Sequence, residues 1–226
     1  MESAKTKNID QYKEIHAKNP GFGKSSHLKL IEIFKILKFL NLGKSKAQTS
    51  ILDFGCGKSN LSELLESKCQ NLEGEYQFFL YDPAVPEIST IPLNSADFLI
   101  NTDVLEHIFE EDIDKVLTDI FSVSEICYFN ISTRLASTIL PNGENAHCTV
   151  KKASWWLEKI KEFCPNAELL TSAMDEATIV TFKTSKLLKF YFYIKHFKLI
   201  RKRAFWVYIA TLLGLKDFLK ALLGRS

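Results

Sequence analysis

A chain of 226 residues with 46% apolar and 25% charged side chains carries one sizeable core with room for an appendage, not several domains. Its five cysteines (Cys56, Cys69, Cys127, Cys148 and Cys164) are odd in number and scattered, without C-x-x-C or Cys/His metal spacing. That excludes a disulfide framework and fits free thiols in a reducing compartment, and Met1–Lys5 starts no apolar leader; a cytoplasmic location is expected. The formal charge of +2 hides an asymmetry: residues 183–226 hold 11 Lys/Arg and one acid, Asp217, leaving 18 Lys/Arg and 26 acids in the rest.

In chain order, residues 1–26 are polar and turn-rich, with Tyr12, His16 and Gly21–Ser26 placed as a possible lid. Leu28, Ile31, Phe34, Leu37 and Leu40 recur at helical spacing and predict an amphipathic helix ending near Gly43. Ile51, Leu52 and Phe54 make a buried first strand that turns on Gly55 and Gly57 into a helix over Leu61–Lys68. Tyr76–Leu80 is a second strand, closed by Tyr81-Asp82-Pro83. The 29-residue spacing from Asp53 to Asp82 sets the two acids side by side at carboxyl ends of parallel strands. Ile88–Ser95, interrupted by Pro92, is a short edge strand at best. Strands follow at Ala96–Ile100 and Ile126–Ile131, with Asn101–Ile108 entering a helix between them. A long polar loop covers Ser132–Val150. Ser154–Phe163 is helical, and Glu168–Ser172 with Thr178–Phe182 forms an antiparallel hairpin around Met174-Asp175-Glu176.

The glycine turn is the chemical focus. It lacks the third glycine of a dinucleotide site, since Asn60 stands there, and Leu52 occupies the first glycine of a P-loop. What remains, Asp53-x-Gly55-x-Gly57, suits a ligand with hydroxyl, carboxylate and ammonium groups; a tight turn without a ligand is the alternative. An acid at Asp82 can accept both hydrogen bonds of a ribose diol. Histidine is the natural base near neutral pH. His147, in the loop after the fifth predicted strand, and His107, at the start of a predicted helix, are the candidates, each with a plain structural role as its alternative. Arg134, Glu144 and Asn145 on the same loop, and Trp155 beside Trp156, are candidate acceptor contacts.

Over roughly residues 10–182 the sequence resembles the class I S-adenosylmethionine (SAM) methyltransferases. The residues carrying this are Ile51–Gly57, Tyr81-Asp82-Pro83, and Asp97–Ile100 leading into Val104–Ile108. The resemblance implies a Rossmann-like, three-layer α/β/α fold with a seven-stranded, mostly parallel sheet whose last strand is antiparallel. It implies SAM as cofactor, with Asp53, Gly55 and Gly57 at the methionine moiety, Asp82 at the ribose, and Asn101 to Asp103 toward the sulfonium. Asn94 or Ser95 would stand where the family contacts adenine. A weaker similarity, through Ser132-Thr133-Arg134, Leu140–His147 and Trp155-Trp156-Leu157, points to methyltransferases of bacterial surface-polysaccharide and lipopolysaccharide pathways, hence to a saccharide hydroxyl. Methylation of a lipid, RNA or protein nitrogen, or a non-catalytic scaffold, are the alternatives; Asn101-Thr102-Asp103-Val104 lacks the proline platform used for base nitrogens. No metal is expected, because Glu106 and His107 are neighbours on a predicted helix and point apart.

Residues 1–182 are thus read as the methyltransferase domain and 183–226 as a basic amphipathic helical tail. Ala204–Leu215 is uncharged but, at about 1.5 Å per residue, spans about 18 Å, short of the roughly 30 Å hydrocarbon core. Basic charge beside Phe205, Tyr208, Ile209 and Leu212 fits an anionic membrane surface, which sets the protein at the inner face of the cell membrane. Packing on the domain or on a twin subunit, as a homodimer, is the competing use. Nucleic acid is disfavoured by the many large apolar side chains.

Overall fold

The computed structural model describes residues 4–18, 25–172, 175–195, 197–198 and 201, the side chains of residues 4–8, His16 and Ser25 excepted. Five helices are bounded: α1 Ala4–Lys18, α2 Leu30–Leu40, α3 Leu61–Cys69, α4 Ile113–Val123 and α5 Ala153–Lys161. A sixth, α6, covers residues 186–195. The strands are β1 Gln48–Phe54, β2 Glu75–Tyr81, β3 Phe98–Thr102, β4 Cys127–Ser132, β5 Glu168–Thr171 and β6 Glu176–Val180.

The sheet runs β2-β1-β3-β4-β6-β5. β1 pairs in parallel with β2 and β3, β3 with β4, while β6 is antiparallel to both β4 and β5. Alternation along the central strands explains the three layers. Leu52, Phe54, Leu99, Phe129 and Ile131 face α4 and α5, where Ile113, Leu117, Ile120, Trp156 and Ile160 are buried. Ile51, Phe98, Ile100 and Tyr128 face α2, α3 and α6, through Ile33, Ile36, Leu37, Leu61, Leu65, Leu188 and Phe192. Central strands buried on both faces read as continuous apolar runs, as 98–100 does.

Four expectations are corrected. The described sheet has six strands, not seven: Ile88–Ser95 forms no strand, because the Asp82 amide bonds the Ile88 carbonyl to close a loop and Pro92 offers no N–H. β3 starts at Phe98 and runs on through Asn101 and Thr102; the Asp97 carboxylate ahead of it instead accepts from the Ser50 amide and hydroxyl. Asn101–Ile108 does not enter an α-helix but closes a single 3-10 turn at Leu105–His107. Residues 4–18 form a full α-helix rather than a turn-rich approach, with Ile15 seated on Leu140 and Ala146. Residues 21–24, expected as part of a lid, lie outside the described residues.

The boundary expected at residue 182 runs through continuous packing. Leu188 and Phe192 of α6 are buried with α2 and α3, and the Lys195 ammonium pairs with Glu32, which also accepts the Tyr128 hydroxyl. Among the described residues no helix is long and apolar enough to cross a membrane. Residues 202–226, including Ala204–Leu215, lie outside the described residues.

Candidate functional site

Two half-sites meet at the carboxyl ends of the strands, the region where open α/β sheets bind ligands. The first is built on the glycine turn. Register pairs Phe54 with Tyr81, and the amides of Gly55 and Cys56 both donate to the Tyr81 carbonyl at 2.7 and 3.2 Å. The chain then reverses at Gly55 with φ +80° and Gly57 with φ +55°. A Cβ at Gly55 would sit 2.4 Å from the nearest Val104 methyl. Glycine is therefore required twice over there, by its backbone angle and by its neighbour.

Asp53 and Asn101 lie beneath this turn. Asp53 accepts from the Ser62 hydroxyl at 2.9 Å through one oxygen, while the other is buried without a partner. Burial pushes its pKa up to about 7, against the Ser62 hydrogen bond and helped by the Asp82 charge. The Asn101 amide donates to the Phe54 carbonyl at 3.1 Å, and its own oxygen is also unpartnered. Orphaned buried acceptors of this kind ask for a donor that the fold does not supply. An open cleft of about 620 Å³, counting the solvent it opens onto, lies between Phe54, Gly55, Tyr81, Pro83, Val104 and Ile108 on one side and Asp112, Lys115, Val116 and Asp119 of α4 and its N-cap on the other, with Ile9 of α1 also in its lining.

Asp82 faces the turn, with both oxygens engaged: one accepts the Gly57 amide and the other the Ala84 amide, each at 2.8 Å. It shapes the glycine turn, and a second lone pair on each oxygen remains for a ligand hydroxyl.

The second half-site gathers residues far apart in sequence. After β3 the chain passes through Asp103 with φ +61°, an angle that Asp tolerates better than most residues. The 3-10 turn that follows holds Glu106 and His107. Glu106 is fully buried; one oxygen accepts the Ser132 amide at 2.5 Å and the other has no hydrogen-bond partner. Burial, then the charge of Asp103, raises its pKa well above the ordinary value. The loop 133–147 folds back over this turn. Asn145 pins it, bonding both the amide and the carbonyl of Ala136 and accepting the His147 amide.

His147 and His107 thereby meet edge to face, with ring centroids 4.7 Å apart. Nδ1 of His147 is 2.6 Å from the Arg134 carbonyl oxygen, and Nδ1 of His107 is 2.8 Å from that of Ala146. A carbonyl oxygen only accepts, so both rings carry a hydrogen at Nδ1. Burial holds the His107 pKa down to about 4, against the pull of Asp103 and aided by His147. Tyr12 of α1 closes the group, its hydroxyl 2.9 Å from His107 Nδ1 and 2.7 Å from the Ala146 carbonyl.

The structure thus assembles Asp53, Gly55, Gly57, Asp82 and Asn101 in one half-site and Asp103, His107 and His147 in the other. The four expected acceptor contacts have distinct surroundings. Asn145 is a loop-pinning residue. Glu144 is exposed and bonded to Asn142, and the Trp155 ring packs on Trp156 and under the Lys151 ammonium. Arg134 is exposed, and its carbonyl, not its guanidinium, reaches His147. Sequence reasoning missed the Glu106 carboxylate as the bond holding β4 to this turn. It also missed the reach of Tyr12 to His107 over 95 positions of sequence. No short-range pattern encodes either contact, though a tyrosine on a helical repeat in residues 4–18 was a signal available for the second.

No family model matches the chain, and no curated protein matches it. Among solved structures it is similar to the methyltransferase domain of bacterial CtHen1, at 15% identity over 70% of this chain and 99% of that one, TM-score 0.48. It is also similar to a DhpI–SAH complex, at 8% identity over 76% and 93%, TM-score 0.46. A third is the 1,6-didemethyltoxoflavin-N1-methyltransferase of Burkholderia thailandensis, at 10% over 81% and 92%, TM-score 0.46. Likenesses of this order carry no argument about the chemistry of this chain.

Proposed function

We propose that the chain is a SAM-dependent methyltransferase acting on a hydroxyl, with a saccharide as the acceptor class. The observation that carries this reading is the Gly55 turn, a left-handed backbone set against Val104 on the wall of a cleft, together with the buried oxygens of Asp53 and Asn101 that no protein group satisfies. A methionine ammonium or a ribose hydroxyl supplies the donors those oxygens lack. Methyl transfer from a sulfonium needs little beyond alignment and removal of the acceptor proton. His147 suits that step, since its Nδ1–H is anchored on the Arg134 carbonyl and Nε2 is the ring nitrogen that would take the proton. Exposed Arg134 and Glu144 beside it fit a polar, hydroxyl-rich acceptor.

Calorimetry of the full chain with SAM is expected to give one site per chain; absence of binding overturns the reading. Labelled SAM offered with saccharide, lipid and RNA acceptors then tests the class. Label in RNA or on a protein nitrogen overturns the saccharide part.

α6 carries the face that we assign to a membrane partner. Leu187, Phe190 and Tyr193, exposed by 78, 58 and 64%, lie on the side opposite buried Leu188 and Phe192, with Lys186 on the exposed side. An apolar stripe edged by cations fits an anionic lipid surface and a lipid-linked acceptor. Sedimentation with phosphatidylserine vesicles tests it: the Leu187→Ser/Phe190→Ser pair should lower pelleting several-fold, and equal pelleting removes the membrane reading. Point substitutions are used because removing the residues beyond 182 would strip Leu188 and Phe192 from the core.

A further inference from the structure

We propose that Asp103, His107 and His147 form a binding site for one divalent transition-metal ion, placed where the acceptor hydroxyl is expected. Each of the three offers a ligand atom, and these atoms lie within 4.8 Å of one another. The proposal rests on the acceptor reading given above for its chemistry but not for the ion itself.

The geometry around the histidines is that of ligands already oriented. Each imidazole is tethered through Nδ1 to a backbone carbonyl, His107 to Ala146 and His147 to Arg134. Donation of the second ring N–H to a carbonyl or carboxylate is the usual support of metal-bound histidine, fixing the tautomer and aiming the other nitrogen. Tyr12 braces the His107 tether from the outside. Two such tethers on rings 4.7 Å apart are hard to explain as packing alone.

The turn that carries His107 is fixed from beneath, because the buried Glu106 carboxylate accepts the Ser132 amide of β4. Asp103 is kept at φ +61°, an angle that costs energy outside glycine and persists where the surroundings demand it.

The donor set selects the ion. Two imidazoles and a carboxylate suit zinc, cobalt, manganese or iron better than magnesium or calcium, which favour all-oxygen shells. Ligands at about 2.1 Å from an ion stand roughly 3.0–3.5 Å apart, so the cluster must close by about 1.5 Å at its widest. The loop carrying His147 is the element free of regular structure that can supply this. Three protein ligands leave open positions for oxygen. An acceptor hydroxyl bound there gives up its proton at lower pH, as metal-bound water does. The O–H bond then breaks with the proton passing to solvent, the oxygen forms the new C–O bond, and the C–S bond of the sulfonium breaks to leave a neutral thioether. His147 then serves as a ligand that places the ion, and the ion replaces the imidazole as the agent that lets the hydroxyl lose its proton.

The test uses the full chain, stripped with chelator and titrated with cobalt chloride, read by visible absorption, and with zinc chloride by calorimetry. One site per chain with ligand-field bands is expected. His147→Ala and Asp103→Asn should each weaken binding by about 10²-fold, a loss at least as large as outer-shell changes cause. Asn tolerates the positive φ of position 103, and thermal melts confirm that both variants fold. No binding at millimolar metal overturns the proposal, and so does binding that both variants retain. A thiolate-to-cobalt charge-transfer band overturns it as well, because it places the ion on cysteine. SAM calorimetry on the same stripped sample separates the two readings. SAM binding without metal binding sinks the ion alone; metal binding without SAM binding sinks the methyltransferase and leaves the ion.

Discussion

The two half-sites are built in opposite ways. The glycine turn is local: Asp53 to Ser62 is one strand, one turn and one helix start, fixed by backbone angles and by register with β2. The histidine half-site is collected from α1, from the turn after β3 and from the loop after β4, and side-chain bonds across 39 and 95 positions hold it together. A local site tolerates little change in its backbone. A collected one can lose a side chain and keep its fold.

That contrast can be broken or sharpened by substitution. The largest effect is expected at His147→Ala, which should lower turnover by about 10²–10⁴-fold while SAM affinity stays within a factor of two, measured by rate assay and calorimetry. Loss of SAM affinity there would show the two halves to be one.

Next is a glycine pair. Gly55→Ala meets Val104 and a φ of +80°, and should cost about 2–4 kcal/mol in urea unfolding together with SAM binding. Gly143→Ala, at φ +87° with nothing near its Cβ, should cost about 1 kcal/mol and leave SAM binding alone. Equal costs would remove the role given to Val104.

The third is pH. Asp53 has its folded pKa raised to about 7, above its unfolded value, so the folded state holds an extra proton between about pH 4 and 7. Stability attributable to it is present below that window and is lost as pH rises through it, by an amount of a few kcal/mol. Asp53→Asn should therefore flatten the decline expected of wild type from pH 4 to 7. An unchanged slope would show that Asp53 is not the group that titrates.

The smallest is Tyr12→Phe, which removes one hydroxyl from the His107 tether. It should lower turnover less than about tenfold, with about 1 kcal/mol lost in stability.

What the sequence made legible follows the same line. Asp53, Gly55, Gly57 and Asp82 were found because strand, turn and helix leave short-range marks in residue type. The missing third strand was foreshadowed by Pro92. The histidine half-site was legible as residue types but not as an assembly. His107 and His147 were singled out separately, and metal was set aside by supposing a helix through Glu106 and His107, where a single 3-10 turn stands. The role of Asn145 was misread because an amide that pins a loop and one that binds a sugar look alike in one dimension.

Helix α1 also has a practical meaning. Its Tyr12 rests on the histidine pair and its Ile9 lines the cleft, so whatever is joined ahead of Ala4 is carried by the piece of chain that roofs the chemistry. A purification handle at that end is therefore a substitution in the site by another name, and assays belong on protein tagged elsewhere or not at all.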